Sequence, residues 1–245
     1  MWLLMGSLMG RRLQPARRNL NAARALARRL LLAYSKRQPC GLKPALQTMN
    51  KGIHSRGYLP HWDFAEGLQA VTFRLADSVP AAVIKSWKTE LSGIPDDATR
   101  ERELHRRIAR FEDAGHGACV LHRHDCAGII QATLTTGHPT RYRLLAWCVM
   151  PNHVHILFKL APDFSLGAVI RAWKGASALA INRLLDRAGP LWMADYFDRL
   201  IRDLKHLYDC RAYIRNNPVK AGLCAHPEDW PFSSAGCGWN PDEGP

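Results

Sequence analysis

Two histidines one residue apart, His153 and His155, are the residues of this chain best placed to do chemistry. They lie in an apolar run that predicts a buried strand, and strand side chains alternate between the two faces of a sheet. Both imidazoles therefore point the same way, while Val154 points into the opposite layer. Two neutral imidazoles on one face can hold a single metal ion. The alternative is a strand with two half-exposed histidines and no ligand role.

A second pair of polar residues, Tyr213 and Asn217, lies near the end of the predicted last helix. Residues four apart share a helix face, so both side chains can face the strand histidines. This arrangement predicts a metal site made by His153, His155 and Asn217, with the Tyr213 hydroxyl beside it as a nucleophile. The alternative is a boundary tyrosine and a helix-terminal asparagine, because the residue before Pro218 is biased away from helical backbone.

Hydrophobic periodicity and capping residues predict the elements that must position these side chains. Ser165 and Asp203 are expected to begin the two helices that follow the histidine strand. Val169, Ile170, Trp173, Ala176, Leu179, Ala180 and Leu184 are predicted to form the buried stripe of the first of them. The predicted strands cover residues 68–75, 141–149, 153–160 and 191–201, and the predicted helices cover 80–91, 98–113, 125–134, 165–187 and 203–217. This order indicates an α+β antiparallel sheet with helices on its faces rather than a parallel, doubly wound sheet.

The positive charge of the chain is concentrated at its N-terminus. Residues 1–60 contain twelve Lys or Arg and no acid, whereas the remainder is nearly balanced, with 22 basic and 21 acidic residues. The net charge of +13 therefore does not by itself make the main body a nucleic-acid binder. We divide the chain into a basic arm (1–48), one domain (49–236) and a tail (237–245). The arm is either a nucleic-acid or membrane-surface segment, or sequence upstream of a true start at Met49.

The cysteines and the first residues indicate the compartment. The chain has seven cysteines, an odd number, and none of them form a Cys-x-x-Cys pair. This pattern is typical of free thiols in a reducing cytosol. The apolar start, residues 1–5, is too short to cross a bilayer or to form a secretion signal. We therefore expect a cytoplasmic protein with no membrane partner.

Several motifs resemble, in consistent order over residues 56–234, the single-tyrosine HUH transposases, and among them the REP-associated tyrosine transposases. These motifs are Met150-Pro-Asn-His-Val-His155, Trp192 with Tyr196-Phe-Asp-Arg199, Tyr213-Ile-Arg-Asn-Asn-Pro-Val-Lys-Ala-Gly-Leu223 and Asp229-Trp-Pro-Phe-Ser-Ser234. The segment Arg56-Gly-Tyr-Leu-Pro60 with Val71-Thr-Phe-Arg-Leu75 is similar to the start of that family.

The resemblance implies a ferredoxin-like domain whose histidines and a helix-borne polar residue hold Mg²⁺ or Mn²⁺. The family's nucleophile falls on Tyr213 and its third ligand on Asn217, whereas Tyr208, on the same helix, lies outside the motif. The implied activity is cleavage and rejoining of single-stranded DNA through a 5′-phosphotyrosine intermediate, by a monomer or homodimer. The implied substrate is a palindromic hairpin with a flanking single strand, and not a small molecule.

Contacts with the DNA are expected from basic and aromatic side chains near the catalytic helix. Phosphates can meet Arg199, Arg202 and Lys220, and bases can stack on Trp192 and Tyr196. Two other functions remain open. One is a palindrome-binding protein that no longer cuts; the other is a metal-dependent hydrolase that uses the histidine pair, against which we count the lack of an acidic general base near the motif.

Overall fold

The computed structural model describes residues 67–242 and the backbone of two short strands before them. These two strands, β1 (Ile53–Ser55) and β2 (Pro60–Trp62), pair antiparallel with each other. The basic arm predicted for residues 1–48 lies outside the described residues. No helix in the described part of the chain is long and apolar enough to cross a membrane.

The body is built on a four-stranded sheet whose neighbouring strands all run antiparallel. Its strands are β3 (Leu68–Arg74), β4 (Tyr142–Val149), β5 (His153–Leu160) and β6 (Phe197–Leu200), in the spatial order β4-β5-β3-β6. The α-helices of residues 67–242 are α1 (Ala81–Leu91), α2 (Asp97–Asp113), α3 (His124–Thr136), α4 (Leu166–Leu184) and α5 (Leu204–Lys220).

Taking β3, α3, β4, β5, α4 and β6 in chain order gives β-α-β-β-α-β, and this order with the observed strand arrangement is that of a ferredoxin-like sheet. The predicted α+β, ferredoxin-like fold is therefore confirmed. Helices α1 and α2 are an addition to it, inserted between β3 and α3. They have a small apolar cluster of their own, centred on Ile84, Leu104 and Ile108.

The main core lies between one face of the sheet and helices α3 and α4. Alternate residues of β3 and β5, such as Phe73, Val154 and Phe158, point into it and are fully buried. The Ser165 side chain caps α4 by accepting from the Ala168 N–H, as predicted. Five of the seven residues predicted to form the buried stripe of α4 are buried: Val169, Ile170, Trp173, Ala176 and Ala180.

Two stripe residues of α4 were predicted wrongly, because Leu179 and Leu184 are 44% and 37% exposed. Leu184 is the last residue of α4, and Leu179 lies at the edge of the buried stripe, where a periodicity argument makes the stripe too wide. The last strand is also shorter than predicted, since residues 191–196 join the sheet only through a bridge between Trp192 and Leu75. The expected tail contributes Trp239 to the core, where its indole donates to the Leu144 carbonyl oxygen.

The opposite face of the sheet carries α5. A second apolar cluster, with Cys148 and Leu157 from the sheet and Ile214 from α5, holds this helix in place. The Asp203 side chain caps α5 by accepting from the His206 N–H, as predicted. The helix continues through Pro218 to Lys220 rather than ending at Asn217. Asn217 is consequently inside the last turns of α5, and its side chain is buried.

Candidate active site

The two histidines of β5 lie on the face of the sheet that α5 covers, as their spacing predicts. Both are buried, and their Nε2 atoms are 2.9 Å apart. Burial lowers the pKa of His155 to about 4 and lowers that of His153 well below its ordinary value; Arg74 and Lys220 add to the effect on His153. Both imidazoles are therefore neutral at pH 7, the form in which histidine binds metals.

Hydrogen-bond partners on the far side of each ring can hold both Nδ1 protons, which directs the two Nε2 atoms toward each other. The Asn152 amide nitrogen donates to the carbonyl oxygens of Glu112 and His116, so its Oδ1 must face His153, where it lies 2.7 Å from Nδ1. His153 then carries its proton on Nδ1. The Thr72 hydroxyl oxygen lies 2.8 Å from Nδ1 of His155 and can accept a hydrogen bond from an Nδ1–H in the same way.

Two nitrogen lone pairs held this close repel each other unless a proton or a cation lies between them. With metal–nitrogen distances of about 2.0–2.1 Å, a 2.9 Å separation suits two adjacent positions around one divalent ion. Among the described residues, no group of three or more His, Cys, Asp or Glu could hold a metal. A third ligand must therefore be of another type.

Asn217 has the properties of such a ligand. It is 1% exposed, and neither its amide oxygen nor its amide nitrogen has a hydrogen-bond partner within the described chain. Buried amides without partners are rare, because they lose their bonds to water and gain nothing in return. The pair of Nε2 atoms and an unpartnered buried amide oxygen from the facing helix fit a divalent metal.

Tyr213 lies one turn before Asn217 on the same face of α5. Its ring centroid is 5.6 Å from that of His155, at an interplanar angle of 78°, and the side chain is 42% exposed. Burial raises the pKa of the phenol, and the nearby Asn217 amide and Lys220 ammonium oppose that rise. The structure thus places Tyr213 next to the histidine pair, with its side chain 42% exposed, and Asn217 one turn farther along the helix that covers this face of the sheet.

The residues predicted to bind DNA do not all have free side chains. Trp192 is 6% exposed; its indole donates to the Ser177 hydroxyl and packs edge-on against Phe73, so it belongs to the core and the prediction that it stacks bases is wrong. Tyr196 is half-buried against the same core, with the Lys174 ammonium 6.0 Å from its ring centroid.

The three basic side chains predicted to bind DNA phosphates are exposed. Arg199 and Arg202 are exposed at and just after β6, with the Arg199 guanidinium 5.6 Å from the Phe197 ring centroid. Lys220 is exposed on α5, where its ammonium lies 2.8 Å from Asp113. Tyr208, the second tyrosine of α5, is 64% exposed, and five residues separate it from Tyr213.

Sequence reasoning missed the residues that surround the site. Asn152 and Thr72 each contact one histidine, and Arg74 lies opposite His153 in the strand register. The sequence indicates these three residues only weakly. Asn152 directly precedes His153, and Thr72 and Arg74 alternate with buried residues of β3. Glu112 and Asp113 gave no signal, since they come from the end of α2, about 40 residues earlier in the chain.

Comparisons with known proteins agree with the motifs. Residues 122–217 match the family model described as "Transposase IS200 like". The chain is 31% identical over 103 residues to a Haemophilus influenzae protein assigned provisionally to the REP-associated tyrosine transposases. It is 30% identical over 99 residues to the REP-associated tyrosine transposase of Escherichia coli K12. Each match covers 38% of this chain, and 58% and 54% of the relatives, so the chain spans little more than half their length.

A solved structure of a REP-associated tyrosine transposase bound to a REP hairpin also aligns with this chain. The TM-score is 0.45 at 18% identity, over 74% of this chain and 82% of that one.

Proposed function

We propose that the chain cleaves and rejoins single-stranded DNA, because it is similar to REP-associated tyrosine transposases and its residues 122–217 match the IS200-like transposase model. The proposed substrate carries a palindromic hairpin next to the cleaved strand. The observation that carries the proposal is the accessible Tyr213 hydroxyl beside two buried, neutral histidines. A phenol in that place can attack a phosphodiester that is too large to enter a closed pocket.

The proposed reaction is a transesterification. The Tyr213 oxygen attacks phosphorus, its bond to phosphorus forms as the bond to the 3′-oxygen breaks, the phenol loses its proton and the leaving 3′-oxygen gains one. The product is a 5′-phosphotyrosine and a free 3′-OH. One phosphodiester replaces another, so a second DNA 3′-OH can reverse the step and rejoin strands without an external energy source.

His153, His155 and Asn217 would hold Mg²⁺ or Mn²⁺ beside the tyrosine. When bound, the ion supplies positive charge that polarises a phosphate oxygen and stabilises charge that builds up on it. Two imidazoles and an amide oxygen suit Mn²⁺ better than Mg²⁺, which prefers oxygen ligands. We therefore expect Mn²⁺ to support activity at least as well as Mg²⁺.

The residues of this chain have three tasks in the proposed reaction. Asn152 and Thr72 orient the imidazoles, α5 presents the tyrosine, and exposed cations such as Arg199 and Arg202 meet the strand on either side of the cleaved phosphate.

A metal-dependent hydrolase would need an acidic general base near the histidine pair. The sequence shows none close to the motif, but the fold brings Glu112 and Asp113 to the site. Both carboxylates are already paired with cations.

A covalent adduct tests the proposal. The protein is incubated with Mn²⁺ and a pool of fluorescent single-stranded oligonucleotides that contain a hairpin and randomised flanks, and the products are separated on a denaturing gel. We expect a slow-migrating protein–DNA band with the wild type and none with Tyr213→Phe, which removes one oxygen and leaves the fold intact. His153→Ala should also lose the band.

Two other outcomes would overturn the proposal. Cutting by Tyr213→Phe with free 5′ ends identifies a hydrolase, because a metal-bound water does not need the phenol. Tight hairpin binding by a folded wild-type protein, with no adduct and no cutting, identifies a DNA-binding protein that has lost the reaction.

A further inference from the structure

The C-terminal end of α2 meets the candidate active site through two consecutive acids. Glu112 is 5% exposed and its carboxylate lies 3.2 Å from the Arg74 guanidinium. Asp113 lies 2.8 Å from the Lys220 ammonium. Negative charge at a helix C-terminus opposes the helix dipole, so these acids do not stabilise α2 itself. Their partners account for their position.

Each of the two cations lies next to one part of the reacting site. Arg74 is opposite His153 in the register of β3 and β5, and its Nε is buried without a hydrogen-bond partner. The Lys220 ammonium is 5.6 Å from the centroid of the Tyr213 ring, one helical turn beyond Asn217. One cation is thus beside the histidine pair and the other beside the nucleophile.

We propose that Arg74 and Lys220 bind phosphates of the DNA strand at the point of attack, and that Glu112 and Asp113 are positioning residues that hold these cations in place. The inference rests on the proposed function, because it assigns the two cations to the substrate of that same site. Cations aimed at a phosphoryl group stabilise the charge it acquires in the transition state. Long basic side chains ordered before the substrate arrives lose less conformational entropy on binding it.

The alternative is that both ion pairs only tie α2 to the rest of the domain. Lys220 decides between the two, because its side chain is 56% exposed and its partner Asp113 keeps 16% of its own side chain in contact with water, whereas Glu112 is only 5% exposed. Helix α5 also offers a matched control, the Lys205–Asp209 pair. Its ammonium–carboxylate distance is 2.6 Å, and the lysine side chain is 87% exposed. It lies at the opposite end of the same helix.

The first experiment measures binding of a fluorescent 20-nucleotide oligo(dT) to the full chain by anisotropy, without metal, over a range of salt concentrations. The logarithm of the binding constant falls as the logarithm of the salt concentration rises, and each phosphate contact to a single strand makes this slope steeper by about 0.7. We expect Lys220→Met to lower that slope by about 0.7 and Lys205→Met to leave it unchanged. A wild-type slope for Lys220→Met would overturn its assignment as a phosphate ligand.

Asp113 is tested by a double-mutant cycle with the same probe. Asp113→Asn removes the carboxylate charge that holds the lysine, so it should change the Kd in the wild-type background but not in the Lys220→Met background. Equal changes in both backgrounds would show that Asp113 does not act through Lys220. The corresponding cycle with Asp209→Asn and Lys205→Met should show no coupling.

Arg74 needs a paired substitution, because removing it alone leaves Glu112 buried and unpaired. The Arg74→Met, Glu112→Gln double variant removes both charges, keeps an unbranched apolar stem at position 74 and should lower the steepness of the salt dependence by about 0.7. An unchanged slope in a folded double variant would limit the phosphate site to Lys220. All of these measurements are independent of covalent chemistry, so a wild type that forms no adduct defeats the proposed function while the slopes still decide this inference.

Discussion

Replacing Asn152 by alanine perturbs the orientation of the histidine pair without touching a proposed ligand. Asn152 has no exposed surface, and its amide makes three hydrogen bonds. Two of them go to the Glu112 and His116 carbonyl oxygens, at 3.1 and 3.0 Å, and the third comes from Nδ1 of His153, at 2.7 Å. The amide therefore connects the end of α2 to the imidazole of His153, the first of the proposed metal ligands.

The cost follows from the groups that lose their partners. A net hydrogen bond contributes about 1 kcal/mol, and a buried donor left without an acceptor costs about 1–3 kcal/mol. Asn152→Ala removes three bonds and strands the Nδ1–H of His153, so we expect a loss of about 3–5 kcal/mol in the free energy of unfolding. Because the partner of a ligating histidine fixes its tautomer and orientation, affinity for Mn²⁺ should fall by about 10–100-fold.

Urea unfolding followed by circular dichroism, with and without saturating Mn²⁺, measures both effects. A 10–100-fold loss of affinity lowers the stabilisation by a fixed Mn²⁺ concentration by about 1.4–2.7 kcal/mol. Asn182→Ala is the matched control: its amide donates one bond, 2.9 Å long, to the Gly189 carbonyl oxygen at the exposed end of α4. That variant should lose about 1 kcal/mol at most and keep the full effect of Mn²⁺.

The reasoning is refuted if Asn152→Ala is as stable as Asn182→Ala and responds to Mn²⁺ like the wild type. In that case the amide does not orient His153.

Three further predictions concern the framework of the site. Tyr142→Phe removes a hydroxyl that donates to the Leu134 carbonyl oxygen and accepts from the Trp173 indole, so urea unfolding should show a loss of about 1–3 kcal/mol. Asp203→Ala removes the cap of α5 and should cost about 1 kcal/mol, with faster hydrogen exchange in the first turn of that helix; unchanged exchange would contradict it. Burial, chiefly, lowers the pKa of His105 to about 4 from an unfolded value near 6.5, so its contribution to stability is complete above pH 6.5 and is lost as the pH falls toward 4. His105→Leu should lack this part of the pH dependence, up to about 3 kcal/mol, when unfolding is followed from pH 7 to pH 4.

The elements that carry the site could be read from the sequence because local rules decide them. The period of two in β5 fixed the common face of His153 and His155, and Ser165 and Asp203 marked helix starts by capping chemistry. The last turn of α5 was harder to predict. Local backbone preference disfavours a helix through Pro218, but the apolar packing of Ile214 and Ala221, before and after it, against the sheet outweighs that preference.

What the sequence could not predict depends on contacts between distant segments. Trp192 looked available for stacking on DNA, and only the fold shows that it packs against Phe73 in the core. In the same way, nothing local to Glu112 and Asp113 indicates that α2 ends beside His153 and Lys220. A single sequence carries no record of such pairings, which join Arg74 to Glu112, Asp113 to Lys220 and Phe73 to Trp192 across 38 or more positions of the chain.

The measurement closest to the central claim is the identity of the residue that becomes attached to DNA. The denatured adduct formed by the wild type is digested with a nuclease and trypsin, and the peptide that keeps a nucleotide is sequenced by mass spectrometry. We predict a 5′-linked nucleotide on Tyr213, because that hydroxyl lies beside the histidine pair, and no label on Tyr208, which is exposed five residues earlier on the same helix. A nucleotide on Tyr208, or cleaved DNA with no labelled tyrosine at all, would contradict the mechanism.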